Sequence, residues 1–283
     1  MIHGPSRLVS WLGGLLLVLA PLAPASGFDE VYTARTTGSI TIDEQGAVLE
    51  VELDDKSLGQ EVMAAYARHI RDWRFEPVIE QGQPIRAKGY MQLDLLAFRR
   101  SGSDDLALGV SSARFTDPPS MQDARSRTGS KDRLAQPRYP HDAAVLGIGA
   151  DVMVLVRIGE QGRVEDAAVA SLMLVGERAG EKGMQKRHGA MFSRSATDVA
   201  RRWTFAWAAP GETLKVPIRY TPPGYSGRRW VRAFPVGVDA PAWVLQAEAA
   251  SQPVRIAGAG QQAPDRLRLV TRLDAGQPIQ PGS

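Results

Sequence analysis

The chain has 283 residues, 43% of them hydrophobic and 23% charged, an ordinary globular balance with room for two small domains. A net charge of +3, with Lys and Arg dispersed among Asp and Glu, excludes the solid basic face that nucleic-acid binding needs. The absence of cysteine excludes a disulfide framework, a thiolate zinc site and a lipid-modified cysteine.

Arg7 precedes an apolar run from Leu8 to Ala20, followed by Pro21, Ala23, Pro24, Ala25 and Ser26. A positive start, a short apolar stretch and a small-residue exit predict a secretory signal over residues 1–25, cut after Ala25. The run is shorter than the roughly 20 residues a spanning helix needs, and two prolines end it. The predicted location is therefore the periplasm. The alternative is an uncleaved inner-membrane anchor with the rest of the chain facing the periplasm.

The first folded unit is expected within residues 26–98. Ile40 and Ile42 alternate with polar residues up to the turn IDEQGAV (42–48), and Leu49, Val51 and Leu53 alternate with Glu50 and Glu52 after it. Period two on both sides of a Gly-containing turn predicts a β-hairpin with one buried face. Ser57 and Gln60 have capping-box spacing, and Val62, Tyr66, His69, Ile70 and Trp73 then recur at helical intervals. The phrase Trp73-Arg74-Phe75 ends this helix, and a third strand is expected over about 85–98. Residues 99–135, rich in Ser, Asp, Arg and Gly, read as a polar linker.

The second unit spans 136–221. Gln136-Pro137-Arg138-Tyr139-Pro140 leads into a short helix over 140–146, which Gly147 closes. Val152, Val154, Val156 and Ile158 form the inward row of a second hairpin, continued by Ala167 and Val169 after the turn IGEQGRV (158–164). Gly46 and Gly162 hold the same place in the two turns, where a positive φ is expected. GERAGEKGMQKRHG (176–189) reads as a surface loop, and Ser195 and Asp198 as caps of a helix whose stripe is Phe192, Ala196, Val199 and Trp203. Trp203-Thr204-Phe205 repeats the earlier aromatic phrase, and a third strand follows at Leu214–Tyr220. The order ββαβ thus occurs twice, an internal repeat. Residues 222–283 form a partly ordered extension, with a short helix in APAWVLQAEAA and a terminal strand pair from VRIAGAGQQ and RLRLVTRL.

The run Gln136-Pro137-Arg138-Tyr139-Pro140, the short helix, the hairpin with Gly162-Arg163-Val164, then Met191-Phe192 and Arg201-Arg202-Trp203 resembles the TonB C-terminal domain in order and spacing. The first unit looks like a degenerate copy. It keeps the turn and the Trp-Arg-Phe-Glu-Pro phrase and lacks the Tyr-Pro segment. The resemblance implies an α+β fold: two ββαβ domains, each an antiparallel three-stranded sheet packed by helices. It also implies recognition of an extended segment of an outer-membrane transporter or other envelope protein, by adding that segment to an exposed sheet edge. By this analogy the partner-binding residues are Gln136, Pro137, Arg138, Tyr139 and Pro140, with Leu214, Lys215, Val216, Ile218 and Arg219 of the last strand. The chain departs from the family at its N-terminus, where Ser10 has no histidine four residues after it and His3 precedes the apolar run. It also has Gly149-Ala150 and Ala206-Trp207 where the family has Glu-Gly and Glu-Pro.

Trp73 and Trp203 read most simply as core anchors, and Arg201 and Arg202 as a solvated helix face. His69, His141 and His188 have no metal-pair spacing, and no catalytic or phosphate-binding motif occurs; Gly224-Tyr225-Ser226-Gly227 has the wrong spacing for a nucleophile elbow. The expectation is a non-catalytic protein with no metal, no small-molecule cofactor and no nucleic-acid partner. Alternatives to strand recognition are a scaffold, including a homodimer joined through edge strands, and an anchored energy transducer.

Overall fold

The turn that the sequence repeats is built the same way twice. The computed structural model describes residues 30–54, 56–99, 106–116, 135–222, 225, 229–250, 255–256, 267–271 and 273. The signal expected at 1–25 lies outside them. Gly46 has φ +83° and Gly162 has φ +71°. In each case the aromatic phrase comes back to sit on the turn: Phe75 N donates to Gly46 O at 2.9 Å and Phe205 N to Gly162 O at 2.7 Å. A Cβ at Gly46 would lie 1.9 Å from Phe75 O, and one at Gly162 would lie 2.3 Å from Phe205 O. Glycine is required by the positive φ and equally by the backbone pressed against it.

The first repeat comprises β1 (Glu30–Ile42), β2 (Val48–Leu53), α1 (Gln60–Arg71), a small hairpin of β3 (Val78–Glu80) and β4 (Gln83–Ile85), and β5 (Ala87–Arg99). The strand β6 (Leu106–Thr116) follows. The second repeat comprises α2 (His141–Val145), β7 (Gly149–Ile158), β8 (Val164–Val175), α3 (Met184–Ala200) and β9 (Thr213–Tyr220). After it come β10 (Val231–Val236), α4 (Ala242–Ala249) and the two-residue β11 (Arg255–Ile256). The fold is α+β. Within each repeat the first strand is central: β1 pairs antiparallel with β2 and β5, and β7 with β8 and β9. The aromatic helix stripes bury as their spacing predicts. Tyr66, Ile70 and Trp73 are buried with Ile40, Ile42 and Leu93, while Phe192, Ala196, Val199 and Trp203 are buried with Val152, Val154 and Val156.

Several expectations need correction. The repeats do not form two separate three-stranded sheets: β10 pairs with β1 on one side and β8 on the other, joining them into one nine-stranded sheet. The span 99–135 is not simply a linker, because Leu106–Thr116 is a strand paired with Tyr90–Arg99 of β5. A bulge beside Asp94 breaks its alternation, so Val110, Ala113 and Phe115 do not fall on a period of two. Neither predicted cap holds. Helix α1 starts after Gly59, and Ser195 lies deep inside α3, which begins at Met184. The supposed loop 176–189 therefore holds a 3-10 turn at Glu177–Gly180 and the first turns of α3, with Ala179 and His188 buried. Leu49 was expected in the inward row and is exposed, since the register shifts at Thr41/Ile42. The two C-terminal segments expected to pair with each other go to different repeats. Arg255–Ile256 pairs with β9, and Leu269 bridges to Phe75.

Both long helices lie on one face of the joined sheet. Val31, Ala233 and Val175 stand in register across the junction, on the face away from Ala34 and Leu174, which pack with the helices. The opposite face, which among the described residues carries only the short α4, is strongly concave. Strands about 4.8 Å apart would put β9 and β5, five steps apart in the sheet, roughly 24 Å from each other if it were flat. Yet Arg219 Nη2 on β9 lies 3.3 Å from Asp94 Oδ1 on β5. The curl also brings β11, at one end of the sheet, beside β6 at the other. Among the described residues, no helix is long and apolar enough to cross a membrane.

Candidate functional site

The segment 135–140 is tied to the second repeat at three points. Trp203 Nε1 donates to Ala135 O at 2.8 Å, Ser195 Oγ donates to Arg138 O at 2.5 Å, and Tyr139 OH donates to Ile148 O at 2.8 Å. The landmarks that looked independent in sequence, RYP, Ser195 and Trp203, are thus parts of one attachment. The ring of Tyr139 packs edge-on against Phe192 at 5.7 Å and Tyr220 at 5.8 Å, and burial pushes its phenol up to about 12. Tyr139 is mainly a structural pin, and it links the segment to the last residue of β9. Gln136 and Arg138 remain exposed, and Pro137 and Pro140 are half-buried.

The first repeat solves the same packing problem from within. Counting from the turn glycines, Ala34 matches Ala150, and their partners on the third strands are Leu95 and Tyr220. Beside Leu95, Tyr66 of α1 is fully buried, and its hydroxyl donates to Leu96 O at 2.5 Å. A tyrosine from the helix takes the role that Tyr139 of the leading segment plays in the second repeat. Among the described residues, the Nε1 of Trp73 is buried without a hydrogen-bond partner.

β9 divides its residues between two faces. Leu214, Val216 and Ile218 point into the core under α3, so their side chains are not available to a partner. Lys215 and Arg219 point to the concave face and are both engaged there. Lys215 Nζ pairs with Glu248 of α4 at 2.9 Å, and the Arg157 guanidinium stacks 5.2 Å from the ring of Trp243 on the same helix. Arg219 is 8% exposed and pairs with Asp151 at 2.5 and 2.6 Å, with Asp94 at 3.3 Å, and with the Thr33 hydroxyl at 3.1 Å. Asp94 is also held by Arg35 through two contacts, at 2.7 and 3.2 Å. Burial alone would raise the Asp94 pKa, but the charges of Arg219 and Arg35 lower it overall. Burial also opposes the charge of Arg219, and the Asp151 and Asp94 carboxylates outweigh it, so its pKa is raised. This buried ionic cluster, which ties the two repeats across the concave face, had no signal in the sequence beyond isolated charges in strand-like runs.

The outer edge of β9 presents backbone. Ile158 exchanges hydrogen bonds with Gly211 and Glu212, so the alternate residues Leu214, Val216, Ile218 and Tyr220 turn their backbone toward β7. Thr213, Lys215, Pro217 and Arg219 turn theirs outward. Pro217 has no N–H to give, as befits an edge strand. Among the described residues the only strand on this outer edge is β11, paired in parallel at Leu214 and Lys215. Among the described residues there is no cluster of His, Asp and Glu able to hold a metal. No protein-family model, curated protein or solved structure matches this chain.

Proposed function

We propose that this is a non-catalytic, TonB-like periplasmic protein that recognises extended segments of outer-membrane transport or other envelope proteins by strand pairing at the outer edge of β9. The observation that carries this reading is the edge itself. Beyond the two-residue pair with β11, the outward backbone of Pro217 and Arg219 has no strand beside it among the described residues. Unpaired donors and acceptors on such an edge favour addition of a further strand. The segment Gln136–Pro140 is fixed at the Tyr220 end of the same strand, with Gln136 and Arg138 free to meet whatever lies along it. The side chains of Leu214, Val216 and Ile218 serve the core, so recognition rests on backbone pairing together with the exposed leading segment. The two ββαβ repeats, each with a central first strand and a helix on one face, support the TonB-like arrangement.

The test is capture of outer-membrane proteins on the immobilised mature chain. Lys215→Pro removes an outward N–H and should abolish recovery, whereas Thr197→Ala on α3 should not. Recovery unaffected by Lys215→Pro sinks strand recognition. A scaffold is the second reading, favoured by the engagement of Lys215 and Arg219 within the chain. It predicts no captured partner from either protein.

A further inference from the structure

The edge of β9 is not simply open. Arg255–Ile256 pairs in parallel with Leu214 and Lys215, and the same two residues lie beside β6, whose only partner strand among the described residues is β5. β11 therefore sits in the seam where the two ends of the curled sheet meet. We propose that β11 is a stand-in strand: a partner's extended segment displaces it and takes its place in the seam, parallel to β9 and against β6. This rests on the strand-recognition reading above and specifies how that site is regulated.

Three features of the chain support displacement. The outward donors of β9 are Thr213, Lys215 and Arg219, because Pro217 has none. Lys215 is the central one, so a strand of useful length cannot pair along this edge without the position that β11 occupies. A parallel pair of two residues is also a weak sheet contact, while β9 holds β7 over eight residues. Finally, the flanks of β11 are anchored independently. On one side α4 is fixed by the Lys215–Glu248 ion pair and the Arg157–Trp243 contact. On the other side Leu267 is buried in the core of the first repeat and Val270 N donates to Arg74 O at 2.7 Å. β11 can leave the seam while the segments on both sides stay attached, and the incoming strand finds a second edge, that of β6, facing it.

The experiment uses the full mature chain with Ile256→Pro and, as an independent variant, Arg255→Pro, each checked for an unchanged near-ultraviolet tryptophan signal. The first readout is amide hydrogen exchange at Lys215. In the wild type this amide should exchange faster than those of Val216 and Ile218, which face β7, and the proline variants should speed it by about tenfold, the worth of one or two hydrogen bonds. The second readout is binding of a synthetic peptide of residues 252–259 of this chain, followed by fluorescence anisotropy. It should bind the proline variants about tenfold more tightly than the wild type, whose seam is filled. Wild-type protection at Lys215 equal to that at Val216 would overturn the proposal, as would equal peptide binding to all three proteins. In the capture assay, loss of partners in Lys215→Pro with no gain in Ile256→Pro refutes the stand-in alone. No effect of Lys215→Pro refutes strand recognition itself.

Discussion

Replacing Arg219 by methionine removes a cation that touches carboxylates on both repeats. Asp94 keeps Arg35, but Asp151 is left with the hydroxyl of Thr33 at 3.2 Å in place of its guanidinium partner. Arg219 is 8% exposed and Asp151 14%, so solvent does little to soften the loss. Stranding a buried charge in this way costs about 3–5 kcal/mol. For a domain of this size, 1 kcal/mol corresponds to about 2–4 °C, so the melting temperature should fall by roughly 6–20 °C. Adding Asp151→Asn removes the stranded charge and should restore about half of the loss, because a buried pair is costly to break and nearly neutral to delete. Thermal and urea unfolding of the single and double variants, followed by circular dichroism, measure both effects. A loss below about 1 kcal/mol for Arg219→Met, the worth of an exposed pair, would show that the cluster is solvated and does not hold the concave face together.

Gly46→Ala and Gly162→Ala each place a methyl group inside the aromatic phrase at positive φ, and each should destabilise by about 2–4 kcal/mol in equilibrium unfolding. Trp203→Phe loses the bond to Ala135 O, while Trp73→Phe removes an indole N–H that has no partner among the described residues, so the former should cost about 1 kcal/mol more. Asp94 has a folded pKa below its unfolded value. Its stabilisation is therefore complete above about pH 4 and is lost as pH falls through the lower folded value, and Asp94→Asn should flatten that acid limb of a stability–pH profile. The folded pKa of His69 is lowered by burial, against the pull of Asp72. Stability should dip as pH falls below about 6.5, and NMR titration of the wild-type imidazole should show a midpoint below that of a free histidine.

What the sequence made legible was local. Alternation identified β1, β2, β7 and β8, helical spacing identified the buried stripes of α1 and α3, and a repeated turn glycine marked where the aromatic phrase returns. What it hid was the pairing between distant segments. Val231–Val236 carries Pro235 and only six residues, yet among the described residues it is the strand that joins the repeats within the sheet; nothing local distinguishes it from the turn-rich stretch before it. β6 was masked by its bulge at the Asp94 register, and the ionic cluster by the fact that Arg35, Asp94, Asp151 and Arg219 come from four strands. The candidate site was half legible. The leading segment and β9 do meet, through Tyr139 and Tyr220, but periodicity could not say that Lys215 and Arg219 turn inward to α4 and Asp151.

The placement of β10 and of Leu267–Thr271 has a consequence for how the molecule is made. A chain that emerges N-terminus first completes β1, α1 and β5 early, yet Leu267, which is buried in their core, and Leu269, which bridges Phe75, come much later. The first repeat thus waits for Leu267 and Leu269, with its apolar surface uncovered while about 170 later residues are produced, a separation that slows folding and lengthens exposure to misassembly. The second repeat carries its own leading segment and has no such wait. Closure of the whole sheet is accordingly a late event, and a holding factor acting during synthesis would act on the older repeat.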